Sequence, residues 1–466
     1  MVNTAGRSPL QTELRELLKI AVPLASAQVA QSATGFADTV MMGRMGPEVL
    51  AAGGLAALTF LSVLTATTGV VMGITPLVAE AFGAGQRARI QRVARQGLWL
   101  TTLVALPSMA LMGHFDAWMS RAGQSDTTVA LASTYLDIML WGLFPVIGFA
   151  ALRAFVSALS QARPVMTIVV TGTAFNILGN YSLGFGKFGL PELGLAGLAI
   201  ASVVAQWGMF IALGLYVLLH PRLRGYRIFQ GMHRLRPRVL WELLWVGVPI
   251  GAFSGLEAGF FLVVMFAMGT LGTEVLAAHQ VVLQTIVVVF MVPLGISFAT
   301  TVRVGQWLGQ RNAPAMRQAT WVGAGTSTLF VLVVSAVFLL FPRQVIGLYL
   351  DVQDPANGAV VAIAQPLLVI AAIAQVLDGF QKAVYGALQG MQDTQVPMAL
   401  NVLGYWGMGL SAGYLLGFQL GLGSRGLWIG QSVAIAVVAG LFLWRLRWLM
   451  RRSEGRLRDS ARCGAS

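Results

Sequence analysis

The sequence is poor in cysteine, in histidine and in charge. Its one cysteine, Cys463, excludes an intramolecular disulfide framework, a cysteine-rich zinc site and an iron–sulfur cluster. The four histidines, His114, His220, His233 and His279, show no close spacing of a helical zinc pair, so metal catalysis is not expected. Only 11% of the residues are charged, against about 25% in soluble proteins, which excludes an ordinary soluble chain. Acids are scarcer than bases, 18 against 31, for a net charge of +13. In a soluble domain that surplus would point to nucleic acid; basic loops beside membrane helices need no such partner, and none is expected.

Apolar residues are abundant. They make up 56% of 466 residues, enough for about a dozen membrane helices at about 20 residues each. Continuous apolar runs of that length select helices over the alternating strands of a barrel. The runs place spans near 17–41, 53–78, 95–114, 132–152, 164–185 and 194–219, then 239–266, 277–301, 319–341, 360–384, 397–420 and 425–446. Residues 1–16 read as a polar lead with no small-residue cleavage site, so the chain is expected to keep its N-terminus.

Basic residues test the count, because cytoplasmic loops hold the Lys and Arg excess. With the N-terminus inside, only Arg44, Arg121, Lys187, Arg343 and Arg425 fall outside, and the other 26 of the 31 fall inside. Those 26 include Arg87, Arg89, Arg92 and Arg95, the pair Arg153 and Arg163, Lys382, and the run from Arg445. The expectation is a multi-pass membrane protein with both termini cytoplasmic.

The two halves repeat at an offset of 226 residues. Leu17, Leu18, Val22 and Pro23 fall on Leu243, Leu244, Val248 and Pro249, and Gly46, Glu48, Val49 and Leu50 fall on Gly272, Glu274, Val275 and Leu276. Asn176-Ile177-Leu178-Gly179 likewise resembles Asn401-Val402-Leu403-Gly404. This predicts an all-α integral membrane fold with twelve transmembrane helices in two pseudo-symmetric six-helix bundles of like orientation. The lobes are 17–219 and 239–446, joined by a basic cytoplasmic linker at 220–238 and followed by a basic tail at 447–466. Parallel repeats suit a transporter that rocks about a central site. Pro23 and Pro249, inside the first helix of each repeat, are candidate hinges because each removes a backbone hydrogen bond.

Three acids lie well inside apolar sequence: Asp38, Glu257 and Asp378. A lone carboxylate at that depth costs several kcal/mol unless it meets water, a proton or a cation, and no basic partner is visible nearby. Each sits on a polar helical stripe. Gln31, Thr34 and Asp38 share a face of the first span, and Thr173, Asn176 and Asn180 form a comparable stripe on the fifth. Ser254 shares a face with Glu257, Gln280 with Gln284, and Gln375, Asp378, Gln381 and Tyr385 form a broad face of the tenth span. Phe261 is a candidate apolar wall one turn beyond Glu257. Glu80, Glu242 and Asp137, near helix ends, are explained by snorkelling or a helix N-terminus, and Glu48 and Glu274 by capping or turn geometry. No His, Asp or Cys constellation of an integral-membrane enzyme is visible, so no catalytic residue is assigned.

These residues resemble the multidrug and toxic compound extrusion (MATE) transporters, in particular their NorM branch. The match runs from about residue 13 to 446. It is carried by Gly35-Phe36-Ala37-Asp38-Thr39-Val40-Met41-Met42-Gly43-Arg44, by Ala151-Leu152-Arg153-Ala154-Phe155 followed by Pro164, and by Asn176 with Asn180. Pro249 with Glu257, Pro293 and Gly295 followed by Val304, Gly305 and Gly309, Asp378, and Gly386-Ala387-Leu388 with Gly390 and Asp393 complete it. The sequence departs at Ala374, where some relatives have an aromatic residue, and at Gln389, where they often have Arg.

The resemblance implies secondary efflux of amphipathic, often cationic, drugs and dyes through two V-shaped lobes, driven by inward flow of Na⁺ or H⁺. It implies a cation site at Glu257 and Asp378, with Na⁺ the one metal expected there, and a protonation site at Asp38 with the Asn stripe. No other cofactor is expected; the partners are small-molecule substrates and membrane lipids, and the chain is expected to be a monomer. A lipid-linked oligosaccharide flippase of the same superfold is the alternative, but it calls for a cationic cavity where this sequence offers acids.

Overall fold

Inside a bilayer each backbone N–H and C=O must bond within its own segment, and all regular structure among the described residues is helical. The computed structural model describes residues 8–121 and 126–463, without the side chains of residue 121 and of 453–463. Arg7 of the polar lead, the side chains of Arg121 and Cys463, and residues 464–466 of the basic tail therefore lie outside the described residues.

Twelve long helical segments follow the order read from the apolar runs. They are α1 (Pro9–Met45), α2 (Pro47–Gly83, with a turn after Val71), α3 (Arg87–Met112), α4 (Asp126–Ala158), α5 (Arg163–Gly184) and α6 (Gly194–Leu219). The second set is α7 (Pro237–Thr270), α8 (Thr273–Gly309), α9 (Ala313–Leu340), α10 (Gly358–Gly390), α11 (395–419) and α12 (Gly423–Cys463). Eight are long and apolar enough to cross a membrane on length and composition alone. The other four are α1, with its acids and amides, α3, which opens on four arginines, α5, with its Thr and Asn stripe, and α11, in which α turns alternate with π turns at Val402–Gly409 and Leu415–Gln419.

Helix ends differ from the expected spans. α1 begins at Pro9, so most of the expected lead is helical, and Glu13 is buried on it, bound through both oxygens to Arg303 at 2.7 and 2.6 Å and by the Trp307 indole at 3.2 Å. α12 continues to Cys463, taking in most of the expected tail, because Arg and Leu favour helix once lipid no longer limits the length. Gly46 and Gly272 hold φ of 126° and 127° ahead of α2 and α8, a backbone region open to glycine. Glu48 and Glu274 occupy the first turns that follow, where the positive end of the helix favours an acid.

Two compact units emerge: Ser26–Ser254, and Met1–Ala25 with Gly255–Ser466. The division falls inside α1 and α7, two residues after Pro23 and just after Ser254, and not in the 220–238 segment on which the expected lobes were divided. Close backbone packing is the reason. In the first unit, a Cβ on Gly69 of α2 would lie 2.5 Å from Cα of Gly251 on α7, and one on Gly73 would lie 2.9 Å from Cα of Gly247. In the second, a Cβ on Gly295 of α8 would lie 2.6 Å from Cα of Ala25 on α1. Adding 226 converts Gly69 to Gly295 and Ala25 to Gly251, so one contact occurs once per unit with the first helix of the other repeat.

The 220–238 segment belongs to the first unit, and its backbone docks on α3. Gln96 donates to the Arg234 carbonyl at 3.0 Å and accepts from the Arg236 N–H at 3.2 Å, while the Trp99 indole donates to the Met232 carbonyl at 2.7 Å. Glu80 and Glu242, read from sequence as helix-end acids, share Arg89 at 3.1 and 2.8 Å.

Candidate functional site

In the Ser26–Ser254 unit, α1 and α5 bring their polar stripes together. Buried Asn180 donates to a carboxylate oxygen of Asp38 and, at 3.2 Å, to Asn176, which in turn donates to Ser202 of α6 at 3.0 Å. One turn earlier on α1, Thr34 donates to Thr173 at 3.3 Å. Gln31 is exposed on the same helix. Asp38 thus stands at the head of an amide and hydroxyl relay across three helices, and the Asn180 carbonyl oxygen is buried with no hydrogen-bond partner. An ionised Asp38 can accept from the Asn180 amide; a neutral one can do so through its carbonyl oxygen, so the geometry tolerates both forms.

The second unit contains the other two acids, and here an expectation fails. Glu257 of α7 is not without a basic partner: it makes an ion pair with Lys382 of α10, a side chain only 3% exposed. The count of basic residues places Lys382 among the loop cations. Because α10 runs unbroken to Gly390, this lysine lies two helical turns inside the helix. Asp378, four residues before it, is 6% exposed, with one carboxylate oxygen buried and lacking a hydrogen-bond partner. The spacing of Asp378 and Lys382, which puts them on one helix face, was the available signal. Arg153, also counted as a loop cation, is likewise within a helix, α4, and donates to Gln28 at 2.9 Å.

Neighbouring groups fix these charges. On α8, Ser297 donates to the Lys382 carbonyl at 2.7 Å and Thr301 to the Gly386 carbonyl at 2.9 Å. Gly386 lets Ser297 approach the α10 backbone, since a Cβ there would overlap the Ser297 carbonyl oxygen. The Phe290 ring lies 5.0 Å from the Lys382 ammonium, a favourable cation–π position. Tyr405 of α11 donates to Gln381 at 3.3 Å and meets Phe260 edge-on at 5.0 Å, while the Trp406 indole donates to the Leu256 carbonyl at 3.0 Å. Tyr405 and Trp406 lie in the first π turn of α11, an irregularity that recurs at functional sites.

The remaining candidates have contacts of their own. Gln375 is buried one turn before Asp378, and Tyr385 stacks on Phe442 at 5.8 Å. Phe261 packs edge-on against Phe260 at 5.8 Å. Ser254 turns back to the Ile250 carbonyl at 3.2 Å, Gln280 is exposed and donates to the Met265 sulfur at 3.4 Å, and Gln284 is exposed. Pro23 and Pro249 lie inside α1 and α7 as the sequence placed them.

Comparison with known proteins extends over nearly the whole chain. A family model described as MatE matches residues 23–182 and 249–415, two stretches that begin at Pro23 and Pro249, one repeat offset apart. A protein of Synechocystis sp. named probable multidrug resistance protein NorM is 52% identical over 454 residues, 97% of this chain and 98% of that protein. The multidrug resistance protein NorM of Burkholderia vietnamiensis is 38% identical over 447 residues, 96% of each. A solved structure described as the outward-facing conformation of a multidrug resistance MATE family transporter of the MOP superfamily shares the fold. Its TM-score is 0.86 at 21% identity, over 98% of this chain and all of the other.

Proposed function

Because the chain belongs to the MatE family, we propose that this multi-pass membrane protein is a secondary multidrug efflux transporter, exporting amphipathic, often cationic compounds against inward flow of Na⁺ or H⁺. The observation that carries the reading is an acidic site in each compact unit, half-buried Asp38 with Asn180 in one and buried Asp378 with Glu257 and Lys382 in the other. A carboxylate that holds either a coupling cation or a cationic drug makes exchange obligatory by competition. Different affinities in inward- and outward-open states then drive the cycle. Pro23 and Pro249 supply the bends that such a cycle needs, and the distribution of basic residues supports an inner-membrane protein with both termini cytoplasmic.

The chain works as a monomer among lipids, with the coupling ion as a co-substrate and no bond made or broken. Acids at both sites favour cationic cargo over the pyrophosphate of a lipid-linked oligosaccharide. The test is ethidium movement in vesicles reconstituted with the purified protein, under an imposed Na⁺ gradient and, separately, an imposed H⁺ gradient. Faster ethidium transport under at least one gradient is expected and identifies the ion; no acceleration under either would overturn the reading.

A further inference from the structure

We propose that the Lys382 ammonium is a tethered counter-ion that keeps Na⁺ out of the Glu257–Asp378 site. The proposal deepens the transport reading and rests on it for what the site does, but its test reads ion binding alone.

Three features fix the ammonium where a free cation would have to sit. It pairs directly with Glu257 and shares a helix face with Asp378. Its depth is fixed by the Ser297 bond to its own carbonyl at 2.7 Å and by the Gly386 contact one turn on. The Phe290 ring, 5.0 Å away, covers it from α8. The titratable groups around it are Glu257 from α7, Asp378 and Tyr385 from α10, and Tyr405 from α11.

Na⁺ needs several oxygens at once, and here a Glu257 oxygen is already engaged. A Na⁺ ion drawn to Asp378 would stand beside a fixed positive charge. A like charge about 4 Å away weakens cation affinity about a thousandfold at the screening typical of proteins. The repeat supplies a second, independent observation. With a three-residue shift from the 226 offset, Leu152-Arg153-Ala154-Phe155-Val156-Ser157-Ala158-Leu159 aligns with Gln381-Lys382-Ala383-Val384-Tyr385-Gly386-Ala387-Leu388, which puts Arg153 on Lys382. Each of these cations, on the fourth helix of its repeat, bonds a side chain of that repeat's first helix, Gln28 or Glu257. A cation at this position is thus part of the repeat's design, and in the second repeat it meets acids.

Two carboxylates and one ammonium leave a single negative charge for exchange. Lys382 therefore sets how many cations the site takes and which kind, favouring a proton or an organic cation over Na⁺.

The experiment uses the purified full-length protein in detergent. Its melting temperature is compared in NaCl and in KCl or choline chloride of equal ionic strength, alongside direct ²²Na⁺ binding. A bound ion raises the melting temperature by mass action. The wild type is expected to show no Na⁺-specific shift and no saturable ²²Na⁺ binding. Lys382→Gln is expected to gain both, Lys382→Gln combined with Glu257→Gln to lose them again, and Lys382→Arg to behave as the wild type.

Na⁺-specific binding by the wild type that disappears in Asp378→Asn would overturn the proposal, as would a folded Lys382→Gln that gains none. If Lys382→Gln does not fold, the wild type and Lys382→Arg still decide. A protein indifferent to Na⁺ that also fails to move ethidium under a proton gradient would count against the transport reading and leave this one standing.

Discussion

Asp38 is half-buried and Asp378 buried, and their company differs: Asp38 is held by a neutral amide from Asn180, Asp378 sits one turn from a lysine. Asp378→Asn removes the carboxylate left for exchange in the second unit, and ethidium efflux is expected to fall to background with membrane expression unchanged. Full efflux from that variant would show that the second cluster does no transport work. Asp38→Asn keeps the hydrogen-bonding shape of the relay but cannot titrate, so the variant is expected to transport without the wild-type pH dependence; an unchanged pH profile would remove Asp38 from the coupling step.

Much of this detail was legible beforehand. Asp38, Thr34, Thr173, Asn176 and Asn180 were found as two polar stripes, because an amide or acid in lipid has to face another polar group. Lys382 was misread because it was counted as a loop residue, when its spacing from Asp378 placed it on the same buried face. Gln280 and Gln284 share a face of α8 and are both exposed. Periodicity says that two residues share a face, not what that face meets.

Among the helices, glycines let backbones meet closely, as Gly69 and Gly251 do. Gly251→Leu would drive a side chain into the Ala66 carbonyl and Val70 of α2. Neither backbone can give way cheaply, so a loss of at least about 1–3 kcal/mol is expected, read as a lower melting temperature in detergent. Gly255→Ala, one turn on with open space around its Cβ, is the control and is expected to be neutral or slightly stabilising. An unchanged melting temperature for Gly251→Leu would mean that the α2–α7 contact is not tight.

Helix number and order could be read from apolar runs and the alternation of basic loops, even for α1, α3 and α5, which are too polar to be recognised as spans on composition alone. The π turns of α11 left no such trace. The first holds Tyr405 and Trp406, which reach partners on neighbouring helices, and those contacts are not encoded in local spacing.

At the scale of the chain, sequence repeat and compact unit do not coincide. The repeat divides at 220–238, whereas the units divide inside α1 and α7. A protein cut within 220–238 and expressed as separate halves is expected to give neither half as a monodisperse species on size exclusion, and both when coexpressed. A single half that purifies alone with a cooperative melt would contradict the exchange. No inspection of the repeat alone could have shown this, because Pro23 and Pro249 read equally well as bends within one lobe.

The exchange also sets a timetable for synthesis. Glu13 leaves the ribosome 290 residues before Arg303, an interval of about 15–60 s at translation rates of about 5–20 residues per second. The N-terminal part of the first helix offered to the bilayer waits for the eighth to be made, and until then Glu13 is a carboxylate awaiting its arginine.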